Sequence, residues 1–137
     1  LSLSLGAAAW DAVRAQAEAG YPHEVCGVLL GRAGSVVEAR ACANLAVDRA
    51  HDRYQMDPRD QLRIEKDARQ RGLETLGYYH SHPDHPADAS ATDLDLSWEG
   101  VHYLIVAVHQ GRVTDQRSWW REDHSAVFRR EELSIEG

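Results

Sequence analysis

The stretch Leu76-Gly77-Tyr78-Tyr79-His80-Ser81-His82 narrows the outcomes open to this chain more than any other. It is an apolar run that ends in two imidazoles one residue apart, and it reads as a strand over 75–82. On a strand, residues two apart point to the same face. His80 and His82 therefore project together, while Ser81 faces away. Two imidazoles on one face make half of a tetrahedral zinc site. From Pro83 to Ala89 the chain is a polar loop with two prolines.

The elements around this strand are mixed, without regular alternation. Ser4 is expected to cap a helix over about residues 5–19, with Leu5, Ala9, Trp10, Val13 and Ala17 on one face and Gly20 ending it. Val25 to Leu30 reads as a buried strand, the turn Gly31–Gly34 follows, and Ser35 to about Leu45 returns as its hairpin partner. Tyr54–Met56 is a candidate short strand. Asp57-Pro58 is a helix start, a capping side chain followed by proline at the first helical position. That helix should run to about Arg71, where Gly72 stops it. Ser90 should open a short helix to about Trp98. Val101–His109 and Val113–Trp120 form a second hairpin around Gln110-Gly111, and a final strand is expected near 126–129. The pattern is α+β with a mostly antiparallel sheet.

At 137 residues the chain fits one domain, spanning 1–137. It has no basic n-region and no apolar run long enough to cross a membrane, so a cytoplasmic location is expected. The net charge of −7 and the lack of a basic stripe disfavour nucleic acid. The two cysteines, Cys26 and Cys42, are too few for a disulfide framework or a four-cysteine zinc site. Cys26 is expected to share a strand face with Glu24, as a small core thiol.

A third metal ligand must come from outside the strand. Asp93 is the candidate, because Ser90 is a strong N-cap residue and Asp93 stands at the third position after it. Two histidines and one carboxylate leave a fourth position open for water, which is the catalytic kind of site. Ser90 has a second job available. A capping hydroxyl accepts through its oxygen, so its own proton is free to donate to an oxyanion. Hydrolysis also needs a base, and Glu24, which opens an otherwise apolar strand, is the candidate. Asp84, His85 and Asp88 read as solvated loop residues rather than competing ligands. Tyr78 and Tyr79 read as sheet packing, and His102 lacks ligand spacing.

Glu24, then His80-x-His82-Pro83-x(6)-Ser90-x(2)-Asp93, resembles the signature of the JAMM (MPN+) metalloproteases. The segment from Glu24 to Gly31 also resembles that family's first strand. The resemblance implies one zinc ion held by His80, His82 and Asp93, Glu24 as general acid/base, and Ser90 at the oxyanion. It implies a single domain with a curved sheet flanked by helices, in a cytidine-deaminase-like layering. Only short segments separate Leu45 from Asp57 and Asp93 from Val101, so the chain is similar to the compact prokaryotic members. That likeness implies cleavage after the C-terminal Gly-Gly of a ubiquitin-like or sulfur-carrier protein, with the substrate tail laid along a sheet edge. Two other readings compete. A non-catalytic scaffold domain of the same fold typically lacks the ligands, which this chain keeps. A zinc deaminase needs a C-x-x-C pair, which this chain lacks.

Overall fold

The structure is a computed structural model that describes residues 2–90, 93, 97, 98, 100–121 and 128–136. Its elements run β1 (Ser2–Leu5), α1 (Ala7–Gly20), β2 (Cys26–Arg32), β3 (Ser35–Cys42), a 3-10 turn (Val47–Arg49), α2 (Pro58–Gln70), β4 (Glu74–Pro83), β5 (His102–His109), β6 (Arg112–Arg121) and β7 (Phe128–Ile135). The sheet order is β1-β3-β2-β4-β5-β6-β7, and β7 returns to β1, so the sheet closes on itself. The pairs β2–β3, β2–β4, β5–β6 and β6–β7 are antiparallel. The pairs β4–β5, β1–β3 and β1–β7 are parallel. The α+β class with a mostly antiparallel sheet stands, with closure added. Among the described residues no helix is long and apolar enough to cross a membrane.

The apolar strands β2, β4 and β5 sit in the middle of the sheet because both of their faces are covered. On one face Leu29, Tyr79, Leu104 and Val106 pack with Ala9, Val13 and Ala17 of α1. On the other, Cys26, Val28, Leu30, Tyr78 and Tyr103 pack with Ile64 and Ala68 of α2. Two glycines permit the close approaches this requires. A Cβ on Gly77 would strike the backbone of His102, the residue it meets on β5. A Cβ on Gly27 would strike the ring of Tyr79 and the carbonyl of Arg40.

Helix α2 starts as expected, with the Asp57 carboxylate accepting a hydrogen bond from the Arg59 N–H at 2.9 Å. The first helix differs. Ser4 is not its cap: Ser2–Leu5 is a strand, and Gly6 precedes the helix with no side-chain cap. The alternation of Ser2, Leu3, Ser4 and Leu5 is the reason, since it buries both leucines while the backbone pairs with β7 and β3. The last strand also runs further than expected, to Ile135. Its charged residues conceal it, because burial falls only on scattered positions such as Glu131. Tyr54–Met56 forms only an isolated bridge, Asn44 to Met56. Of the helix expected from Ser90 to about Trp98, residues 91, 92, 94–96 lie outside the described residues; Asp93 is helical.

Candidate active site

Strand β4 lies between β2 and β5, with His80 in register with Cys26 on one side and Ile105 on the other. His80 and His82 therefore emerge from a rigid interior strand, on the face that carries α2. Both are buried, as is Asp93. The Nε2 of His80 is 2.9 Å from Asp93 Oδ1, and the Nε2 of His82 is 3.1 Å from Asp93 Oδ2. The two Nε2 atoms are 3.2 Å apart. One ligand atom from each of the three residues falls within 4.8 Å of the others.

The donor set fits a divalent cation. His82 Nδ1 is 2.7 Å from the carbonyl oxygen of Pro86, which can only accept, so Nδ1 carries the proton and Nε2 presents a lone pair. His80 Nδ1 is buried with no hydrogen-bond partner among the described residues. The His80 ring is held instead by stacking on Tyr54, with centroids 4.4 Å apart and planes at 23°. One proton can bridge one pair among the two nitrogens and the carboxylate, whereas one cation satisfies all three. The charges follow this packing. Burial pushes His80 below its ordinary pKa despite its contact with Asp93. Burial also works against the charge on His82, but Asp93 and the Pro86 carbonyl outweigh it and the net shift is upward. Burial works to raise the Asp93 carboxyl, yet its close contacts with the two histidines and the Ser90 N–H hold it far below the usual range.

Ser90 and Asp93 bond reciprocally. The Ser90 N–H donates to Asp93 Oδ2 at 2.8 Å, and the Asp93 N–H donates to Ser90 Oγ at 3.0 Å. The Ser90 oxygen thus accepts as a cap, and its hydroxyl proton is available to another acceptor. A cleft of about 330 Å³ is lined by Glu24, Tyr54, His82, His85, Ser90 and Asp93. Glu24 is buried, and burial pushes its carboxyl up to about 7; the His82 charge opposes this, and Asp93 and Asp52 add to it. Glu24 precedes β2 rather than opening it, since the strand begins at Cys26. Cys26 is fully buried in the α2-side core, and burial pushes its thiol up to about 12. Cys26 and Cys42 are cross-strand partners and both are free thiols.

The loop residues have other work. Asp84 accepts hydrogen bonds from the Tyr21 hydroxyl at 2.6 Å and the Gln110 N–H at 3.1 Å. The Trp119 indole N–H donates to the Ala87 carbonyl at 3.0 Å, and Arg117 pairs with Asp88. The loop that supplies the Pro86 carbonyl is therefore fastened at three points. Sequence reasoning missed Tyr54, Asn44 and Trp119 as parts of the site. Asn44 fills all of its amide capacity: it donates to the carbonyls of Glu24 and Arg53 and accepts from the N–H groups of Ala46 and Gln55, all at 2.9–3.1 Å. Its only sequence signal is an asparagine closing a strand.

Comparison with known proteins bears on this arrangement. A family model described as prokaryotic homologs of the JAB domain matches residues 6–122. The chain is 36% identical over 141 residues to a desampylase of Haloferax volcanii, covering 98% of this chain and 96% of that one. It is 30% identical over 110 residues to a CysO-cysteine peptidase of Mycobacterium tuberculosis, covering 80% and 75% respectively. It superposes on the solution structure of a protein from Desulfitobacterium hafniense with a TM-score of 0.83 at 31% identity, covering 98% of this chain and 92% of that one. The chain belongs to the prokaryotic JAB-domain family, and it is a JAMM-type, metal-dependent hydrolase.

Proposed function

We propose that this protein is a zinc peptidase that cleaves after the C-terminal Gly-Gly of a ubiquitin-like or sulfur-carrier protein. One observation carries the reading: His80, His82 and Asp93 converge, and His82 and Asp93 line a cleft together with Glu24 and Ser90. The names of the two relatives, desampylase and CysO-cysteine peptidase, support the substrate class. When bound, zinc supplies Lewis acidity and lowers the pKa of water. Glu24, with its carboxyl near 7, takes the proton from the attacking water and returns it to the departing amine. The Ser90 hydroxyl proton is directed to the oxyanion that develops on the scissile carbonyl, while its oxygen stays engaged with the Asp93 N–H. His82 holds its orientation through the Pro86 carbonyl, which keeps one tautomer throughout.

The test is incubation with a Gly-Gly-terminated carrier extended at its C-terminus, by a cysteine in one arm and by a lysine isopeptide in another, with mass detection. Release of the intact carrier, abolished by a chelator and restored by zinc, is expected. No cleavage in either arm by protein holding about one zinc per chain would reject the substrate class. Zinc-free protein after zinc loading would reject the site itself.

A further inference from the structure

We propose that Ser81, the residue between the two ligand histidines, is a positioning residue that sets the reach of the Glu24 carboxylate; this rests on Glu24 being the base. Antiparallel pairing of β2 with β4 runs to Cys26 opposite His80, which places Val25 opposite Ser81. A full ladder would exchange two main-chain hydrogen bonds between such residues. Only one of them is made: the Ser81 N–H donates to the Val25 carbonyl at 3.0 Å. The Val25 N–H instead donates to the Ser81 hydroxyl oxygen at 2.9 Å. A side-chain oxygen thus replaces a carbonyl at the last step of the ladder, one residue from Glu24. The residues that follow this step, Glu24 on one side and His82 on the other, line the cleft.

Ser81 is fully buried and points to the face opposite the histidines, so it does not touch the reacting atoms. Its influence runs through the backbone. Both backbone groups of Glu24 are also engaged: its N–H donates to the Ala50 carbonyl, and its carbonyl accepts from Asn44 at 3.0 Å. With the main chain on both sides of the Cα pinned, the position of the carboxylate is decided by where that main chain sits. The same strand therefore sets the metal ligands with its even-numbered residues and the distance to the base with the odd one between them.

The test uses the full chain loaded with zinc and the extended carrier substrate, with four variants. Ser81→Ala should keep one zinc per chain, leave KM within about twofold and lower kcat at least tenfold. It should also remove hydrogen-exchange protection of the Val25 amide, a change read without any substrate. Ser81→Thr, which retains the hydroxyl, should recover both readouts. In a Glu24→Gln background, Ser81→Ala should cost no further turnover, because a residue acting through Glu24 has nothing left to position. Wild-type kcat or unchanged Val25 protection in Ser81→Ala would overturn the proposal, as would an equal loss in the Glu24→Gln background. Full activity of Glu24→Gln alone is a separate result: it removes Glu24 as the base, and with it the reason for the mount.

Discussion

Glu24 is a carboxyl group kept in a place of low solvent access, and that has a stability cost with a definite sign. Its folded pKa is raised by burial from an ordinary 4.5 to about 7. The folded chain therefore binds the proton more tightly than the unfolded chain, and stability falls as pH climbs from about 4.5 through about 7. Above that window the whole penalty is present. Glu24→Gln should then stabilise chelator-treated protein at pH 8 by an amount on the order of 2 kcal/mol, with no gain at pH 4. Denaturant melts at the two pH values check this. The same substitution should retain zinc and lose roughly 10²–10⁴ in turnover. Legibility at this scale follows sequence distance. His80, His82, Ser90 and Asp93 could be read because strand parity and helix capping are local rules. Ser81 was read only as facing away, and Asn44 and Tyr54 not at all, because their partners lie far along the chain.

Among the elements, the 84–89 segment shows how a loop with neither helix nor strand becomes part of a candidate metal site. It carries the carbonyl that orients His82, and β6 fastens it through Trp119 and Arg117. Trp119→Phe keeps the aromatic packing but leaves the Ala87 carbonyl without its donor. Zinc affinity should weaken by roughly 10–100-fold, as measured by chelator competition. Wild-type affinity would mean the loop holds its place without β6. A second network binds β5, β6 and β7: His102 Nδ1 and the Ser118 hydroxyl each lie 2.6 Å from Glu131 Oε2. Glu131 is buried, and losing the imidazole leaves its Oε2 with the Ser118 hydroxyl alone. His102→Leu should cost about 1–3 kcal/mol in chemical denaturation, with metal stoichiometry unchanged. The sequence offered His102 no role because its partner sits in a strand whose charged residues mask it. The strand β1 was hidden for a related reason: four alternating residues fit a helix cap and a short strand equally well until β3 and β7 are there to pair with.

For the molecule as a whole, the sheet order brings a parallel step, β4 to β5, into the centre of a mostly antiparallel barrel. Gly77 makes that step possible, and a methyl group there meets the His102 backbone, which cannot turn aside. Gly77→Ala should destabilise the fold by more than about 3 kcal/mol and lower the yield of folded protein, as overpacking against backbone does at its upper range. A melting temperature within a degree of the parent would contradict the packing. The class of fold could be read from apolar runs and turn signals, but closure could not, since it depends on two end strands whose patterns are weak alone.

That closure also sets an order of events. β1 pairs with β7 from Ser2 opposite Glu132 to Leu5 opposite Ile135, so among the described strands the one made earliest finds its long partner in the one made latest. At roughly 5–20 residues per second, Leu3 and Leu5 wait on the order of ten seconds before that cover arrives. The strands that carry His80, His82 and the segment after Glu24 are all complete before then. During synthesis the strand that holds the two histidines can pair with β2 while the sheet is still open along β1 and β7.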